Sequence, residues 1–178
     1  MKLTDAVTRD VTFQTYGAAE PLEGVQLHPL RKHRSENGAF MEWLRLNEGQ
    51  LSQPAVAGFV PAQLSVSWAA PGRVNAFHLH PREPQNELWT AVQGQLLVWL
   101  VDVRAGSATS GQRQRVLLSA EEPAALFIPS GVAHGYQAGP DGALLLYGVD
   151  ASFDPAAPNE GRLPWDYFGP ELWQEDRG

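Results

Sequence analysis

The chain contains no cysteine, so it can hold neither a disulfide nor a thiolate-bound metal, and it has no sulfur nucleophile. It lacks an apolar run long enough to span a bilayer. Its start, Met1-Lys2-Leu3-Thr4-Asp5, lacks the apolar stretch of a secretion signal, so a soluble cytoplasmic protein is expected. Positive charge is also scarce. With 13 Lys and Arg against 20 Asp and Glu, the formal net charge is -7. An acidic chain lacks the electrostatic footprint of a nucleic-acid binder. The one basic cluster, Arg31-Lys32-His33-Arg34, reads as a solvated loop.

Apolar residues are plentiful at 43%, enough for a real core in a single domain spanning residues 1–178. Seventeen glycines and fourteen prolines divide short apolar runs, the pattern of an all-β sandwich or barrel. Candidate strands are Gln63–Trp68, Val74–His80, Leu88–Val92, Gln95–Val103, Gln114–Ser119, Ala124–Ile128 and Ala143–Val149. Gly94 suits a hairpin turn between two of them, and Pro140-Asp141-Gly142 a turn before the last. Residues 106–111 read as a loop. Thr8–Tyr16 reads as a strand, and Ala39–Leu46 as a strand or a helical turn. The core barrel is expected at about 37–155. The tail, 156–178, is expected to be short, helical or irregular. It carries Trp165, Tyr167, Phe168 and Trp173, whose density predicts packing on the barrel wall or on a second subunit.

The residues that carry chemistry fall in two places. His78 and His80 are two apart on a predicted strand, so both imidazoles project from one face. Glu87 opens the next run, and His134 follows the turn Pro129-Ser130-Gly131. Gly72, five residues, His78-x-His80, six residues, Glu87, six residues, Gly94 resembles the first motif of the cupins. Pro129-x-Gly131-x-x-His134 resembles the second. The resemblance implies a jelly-roll β-barrel and a metal site made of His78, His80, Glu87 and His134. That ligand set suits a divalent transition metal (Zn, Fe, Mn, Ni or Co) with positions left open for substrate or water.

A longer stretch, about Asn37 to Trp165, is similar to the dTDP-4-dehydrorhamnose 3,5-epimerase family within the cupins. It includes Val101-Asp102-Val103-Arg104-x-Gly106-Ser107, Ile128-Pro129-x-Gly131-x-Ala133-His134-Gly135, Tyr147 and Phe153-Asp154-Pro155. This implies an isomerase or epimerase, usually a homodimer, acting on a sugar or nucleotide-linked keto sugar. Carried over by position, the family's base falls on His78, its second histidine on His134 and its late-strand tyrosine on Tyr147, giving three catalytic candidates. Phe40, Glu42, Gln63 and Asn75 fall at substrate-binding positions. Other positions depart. The family's lysine falls on Glu87, two arginines fall on Asn75 and Asn37, and the tyrosine acid falls near Phe153. The aspartate that supports the base has no clear equivalent.

Asparagine cannot supply arginine's charge to a pyrophosphate. A carboxylate among histidines calls for a cation beside it, and a metal would restore the positive centre that the lysine supplied. Two roles for His78 then compete, because a histidine bound to metal cannot also accept a proton. Three readings stay open: a metal-dependent cupin isomerase, or a dioxygenase built on the same metal site with Fe or Cu; a metal-free 3,5-epimerase using His78 as base; and a non-catalytic sugar-binding cupin.

Overall fold

The computed structural model describes residues 1–13 and 21–174. After a short exposed helix, α1 (Asp5–Asp10), the described residues form twelve strands. They are β1 (Gln26–Pro29), β2 (Lys32–Ser35), β3 (Gly38–Met41), β4 (Arg45–Asn47), β5 (Gln50–Gln53) and β6 (Gln63–Ala69), followed by β7 (Val74–Leu79), β8 (Glu87–Asp102), β9 (Arg113–Ser119), β10 (Ala124–Ile128), β11 (Val132–Val149) and β12 (Gly161–Arg162). A 3₁₀ turn, Pro170–Trp173, closes the described chain. No helix among the described residues is long and apolar enough to cross a membrane.

Eight strands form one antiparallel sheet in the order β1-β10-β8-β11-β7-β12, with β9 also on β8 and β6 also on β11. The two long strands organise it. β8 and β11 pair along their whole lengths. The first part of β8 also pairs with β10 and its last part with β9. The first part of β11 also pairs with β7 and its last part with β6. Each long strand therefore passes from one side of the roll to the other, as in the jelly roll expected from the sequence.

Several local expectations change. Gly94 turns no hairpin: it lies inside β8 at φ 65°, and a Cβ there would meet the Gly142 carbonyl oxygen at 2.0 Å. The β8–β11 register breaks between Ala138 and Ala143, so Pro140-Asp141-Gly142 is a bulge in one strand and not a turn between two. Gly94 and the bulge face each other, and both long strands bend there. At the N-terminus, α1 occupies Asp5–Asp10 where a strand was expected from Thr8, with Thr4 capping its first turn. The remainder of that stretch, 14–16, lies outside the described residues. Ala39–Leu46 divides into β3 and β4. The main sheet also reaches beyond 37–155 on both sides, through β1 and β12.

The interior is filled by residues such as Leu96, Val98, Leu100, Leu118, Leu126 and Ile128, each at most 1% exposed. A second cluster on the outer wall joins Phe77 and Val101 to the tail. Phe168 and Trp173 meet Phe77 with ring centroids 4.9 and 5.4 Å away, and the Trp99 indole donates to the Leu172 carbonyl at 2.7 Å. These contacts place the tail on the barrel wall of its own chain and leave Trp165 and Tyr167 half exposed.

Candidate active site

The barrel opens into a cavity of about 630 Å³. His78, His80, Glu87, His134, Gln63, Asn75 and Tyr147 all line it. Phe40 and Glu42 do not. Phe40 is 67% exposed on β3, in a two-stranded sheet apart from the barrel, and Glu42 pairs with Arg45 at 2.8 Å. Those two therefore lie outside this chain's own cavity, on or next to a β2–β3 hairpin that does not fold over it.

Strand geometry explains who faces inward. His78 and His80 share a face by alternation. Asn75 is three residues before His78, a spacing that a regular strand would send to the opposite face. The β7–β11 register shifts between the pairs His134–His78 and Tyr136–Asn75, and this irregularity brings both residues inside. Gly135 permits the close approach, because a Cβ there would lie 2.3 Å from the Ala76 methyl.

The four candidate ligands divide into three and one. Ligand atoms of His80, Glu87 and His134 lie within 4.8 Å of one another; His78 is not in that group. The His80 Nδ1–H donates to the Asn159 carbonyl at 2.7 Å, and His134 Nδ1–H donates to the Val132 carbonyl at 3.0 Å. Both rings thus turn Nε2 toward Glu87 Oε1, at 2.6 Å for His80 and 3.5 Å for His134. Trp89 Nε1–H donates to the other carboxylate oxygen at 2.5 Å.

Burial opposes the charge of Glu87, but the neighbouring His134 and His80 outweigh it and hold the carboxyl well below its usual range. For His80, burial again opposes charge, and the Glu87 hydrogen bond overrides it, so the imidazole titrates above its ordinary value. With Nδ1 already donating, a 2.6 Å contact to a carboxylate requires a proton on Nε2, or a cation in its place.

His78 stands apart because its two nitrogens are engaged elsewhere. Nε2 is 3.0 Å from the Asn75 side-chain oxygen, and Nδ1 is 3.0 Å from Glu160 Oε1. Burial, then the nearby His134 and Arg162, push its pKa down to about 4. It is a neutral imidazole with a carboxylate behind it.

Sequence reasoning missed Glu160 and Tyr136. Glu160 lies 82 residues beyond His78 in sequence, and β12 brings it back by pairing with Leu79 and His78. No spacing rule reaches that far. Tyr136 was detectable, since it is two residues past His134 on one strand and shares its face. It is 2% exposed, with its hydroxyl 3.3 Å from Ser67 Oγ and 3.5 Å from the Asn75 amide nitrogen.

A model of the family described as dTDP-4-dehydrorhamnose 3,5-epimerase matches residues 19–168. The chain is 36% identical over 146 residues to the spore coat polysaccharide biosynthesis protein SpsL of Bacillus subtilis, covering 82% of this chain and 91% of that protein. It is 30% identical to the dTDP-4-dehydrorhamnose 3,5-epimerase of Methanothermobacter thermautotrophicus, covering 82% and 76%. Among solved structures, a dTDP sugar isomerase from Desulfovibrio desulfuricans G20 superimposes with a TM-score of 0.73 at 31% identity, covering 88% of this chain and 95% of that one. ChmJ, a 3'-monoepimerase from Streptomyces bikiniensis solved with dTDP-quinovose, superimposes with a TM-score of 0.71 at 28% identity, covering 85% and 74%.

Proposed function

Since the chain belongs to the dTDP-4-dehydrorhamnose 3,5-epimerase family, we propose that it inverts a carbon next to the ketone of a nucleotide-linked keto sugar, with His78 as the base. The observation that carries this reading is the state of His78: neutral, lining the cavity, and backed by Glu160 at 3.0 Å. A carboxylate there favours the proton on Nδ1 and leaves Nε2 to accept the substrate's proton once Asn75 gives way. The imidazolium that forms is then stabilised by Glu160. This is the part played by the aspartate that the sequence resemblance left without an equivalent.

Removing that proton creates an enolate, whose oxygen needs positive charge nearby. Glu87 cannot supply it. Protonated His80, on the same cavity wall, can. The set of His80, Glu87 and His134 also suits a divalent transition metal (Zn, Fe, Mn, Ni or Co). It offers two Nε2 atoms and a carboxylate, and each imidazole is oriented by a backbone carbonyl on its far nitrogen. Bound there, such an ion would supply Lewis acidity toward the ketone oxygen. His78 is free of that set, so the conflict between ligand and base that arises from the sequence disappears.

The experiment is deuterium uptake from heavy water by a dTDP-4-keto-6-deoxy sugar. Exchange next to the ketone is expected with the wild type, and His78→Asn should slow it by roughly a hundredfold or more. A wild type that exchanges no faster than buffer ends the proposal. Elemental analysis of wild type beside His80→Ala decides the metal question: a bound ion lost in the variant supports it, and full exchange by metal-free protein places the charge on His80.

The assembly proposed is a homodimer. On β6 the usual polarity is reversed: Gln63, Ser65 and Ser67 are partly buried, while Leu64, Val66 and Trp68 are 56%, 42% and 72% exposed. A contiguous apolar row on a sheet face favours burial against a second copy.

A further inference from the structure

Tyr136 has no part in the chemistry described so far. Yet among the described residues it is the least exposed polar side chain that lines the main cavity, at 2%. It lies two residues past His134 on β11 and shares its inward face. Its ring is fixed in the core, with the Trp89 ring edge-on at a centroid distance of 6.0 Å. Its hydroxyl meets Ser67 of β6 and Asn75 of β7, and both of those side chains also line the cavity. Three strands thus bring three neutral polar groups to one point on the cavity floor.

Neither contact satisfies the hydroxyl well. Ser67 Oγ is 3.3 Å away and the Asn75 amide nitrogen 3.5 Å away. Ordinary bonds of these two kinds end at about 3.0 and 3.2 Å. A phenol donates one hydrogen bond and accepts two. Buried with only long partners, it has capacity left for a closer one. Gln63, on the same cavity wall, differs: its amide oxygen accepts the Phe153 N–H at 2.9 Å and its nitrogen donates to Ser65 Oγ at 3.2 Å.

Asn75 shows which part of a substrate would reach this point. One end of its amide is 3.0 Å from His78 Nε2, and the other faces the Tyr136 hydroxyl. A substrate that brings its reacting carbon to Nε2 moves that amide aside. The substituent on that carbon then fills the space the amide leaves, beside Tyr136.

We propose that Tyr136, supported by Ser67 and Asn75, binds a hydroxyl of the sugar, carried on the reacting carbon or one carbon beyond it. These residues select a sugar that keeps this hydroxyl over one with hydrogen in its place. The proposal rests on the reading of the chain as a keto-sugar epimerase and adds which sugars it prefers. A deoxygenated sugar would shut the phenol off from water and leave it only its two long contacts, so it should react more slowly.

The test measures kcat/KM for deuterium uptake with dTDP-4-ketoglucose, its 3-deoxy form and its 6-deoxy form, in the wild type, Tyr136→Phe and Ser67→Ala. Tyr136→Phe keeps the ring and its packing, and thermal melts check that the fold is intact. It should lose roughly tenfold on the parent sugar and less than about twofold on the one deoxy sugar that lacks the bound hydroxyl. The other deoxy sugar should behave like the parent. Ser67→Ala should repeat the pattern with a smaller loss. The sugar that escapes the loss identifies the hydroxyl. A loss of the same size on all three sugars, or on none, overturns the subsite while leaving the epimerase reading intact. A wild type that exchanges none of the three sugars overturns both.

Discussion

The proton on His78 is decided by what faces its two nitrogens. Glu160 at one side favours a proton on Nδ1, and the ring as a whole is neutral because burial outweighs that carboxylate. Nε2 is then an acceptor and needs a donor from Asn75. An amide's two ends are told apart only by their partners. Asn75 stands with its side-chain oxygen 3.0 Å from Nε2 and its NH₂ 3.5 Å from the Tyr136 hydroxyl, and reversing this one amide gives Nε2 its donor. This chain of contacts fixes the orientation of the His78 ring.

The pH dependence follows. A base pushed down to about 4 stays competent through the acid range, so kcat/KM should hold to near pH 5 and decline only around pH 4, well below an ordinary histidine's 6.5. Between about pH 4 and 6.5 the unfolded chain would take up this proton and the folded one would not. This group's linkage to folding therefore makes the protein more stable as pH rises through that window. His80 has the opposite sign: its pKa is raised, so its pairing with Glu87 is complete at low pH and is lost as pH rises through that raised value. A pH–rate profile with an alkaline limb that disappears on metal loading would show a proton and a metal competing for His80 Nε2. An acid limb near 6.5 would contradict the environment described for His78.

Among the elements, the two long strands matter most, and each is shaped by a defect. β8 and β11 bend where Gly94 meets the 139–142 bulge, and β7 bulges where Gly135 lets it approach. Neither bend tolerates a side chain. Gly94→Ala must place a methyl group into the Gly142 carbonyl at a positive φ. It is expected to cost ~3 kcal/mol or more, read by urea unfolding, because both the backbone conformation and the close approach are lost. Gly72→Ala has the same sign of φ but open space around its Cβ, so it should cost only about 1 kcal/mol. Equal losses at the two positions would show that strain in φ alone, and not the strand crossing, sets the requirement.

For the whole molecule, the question is what covers β6. Its exposed row of Leu64, Val66 and Trp68 is wasted in a monomer. Light scattering coupled to size exclusion should give about twice the mass of 19.5 kDa, and Trp68→Asp should return the protein to that mass by placing a charge in a dry interface. A monomeric wild type would remove the dimer. The β2–β3 hairpin, with Phe40 exposed and turned away from its own cavity, is the other element that this experiment would help to interpret.

The class of fold, most strand positions and the inward-facing histidines were determined by the sequence alone, because they depend on local rules. Alternation puts His78 and His80 on one face, and glycine and proline divide apolar runs into strands. The jelly-roll resemblance rested on motifs that lie within short stretches of chain. What only the tertiary structure decided involves pairs far apart in sequence or defects in strand regularity. Gly94 reads as a turn until its opposite strand is known. Asn75 faces the cavity only through a bulge. Glu160 reaches His78 only when β12 returns to β7. The division of four candidate ligands into a three-residue cluster and a separate His78 has the same origin. Residue types can propose a set of partners, but which nitrogen faces which carboxylate is settled by distances of 3 Å between atoms that the chain brings together last.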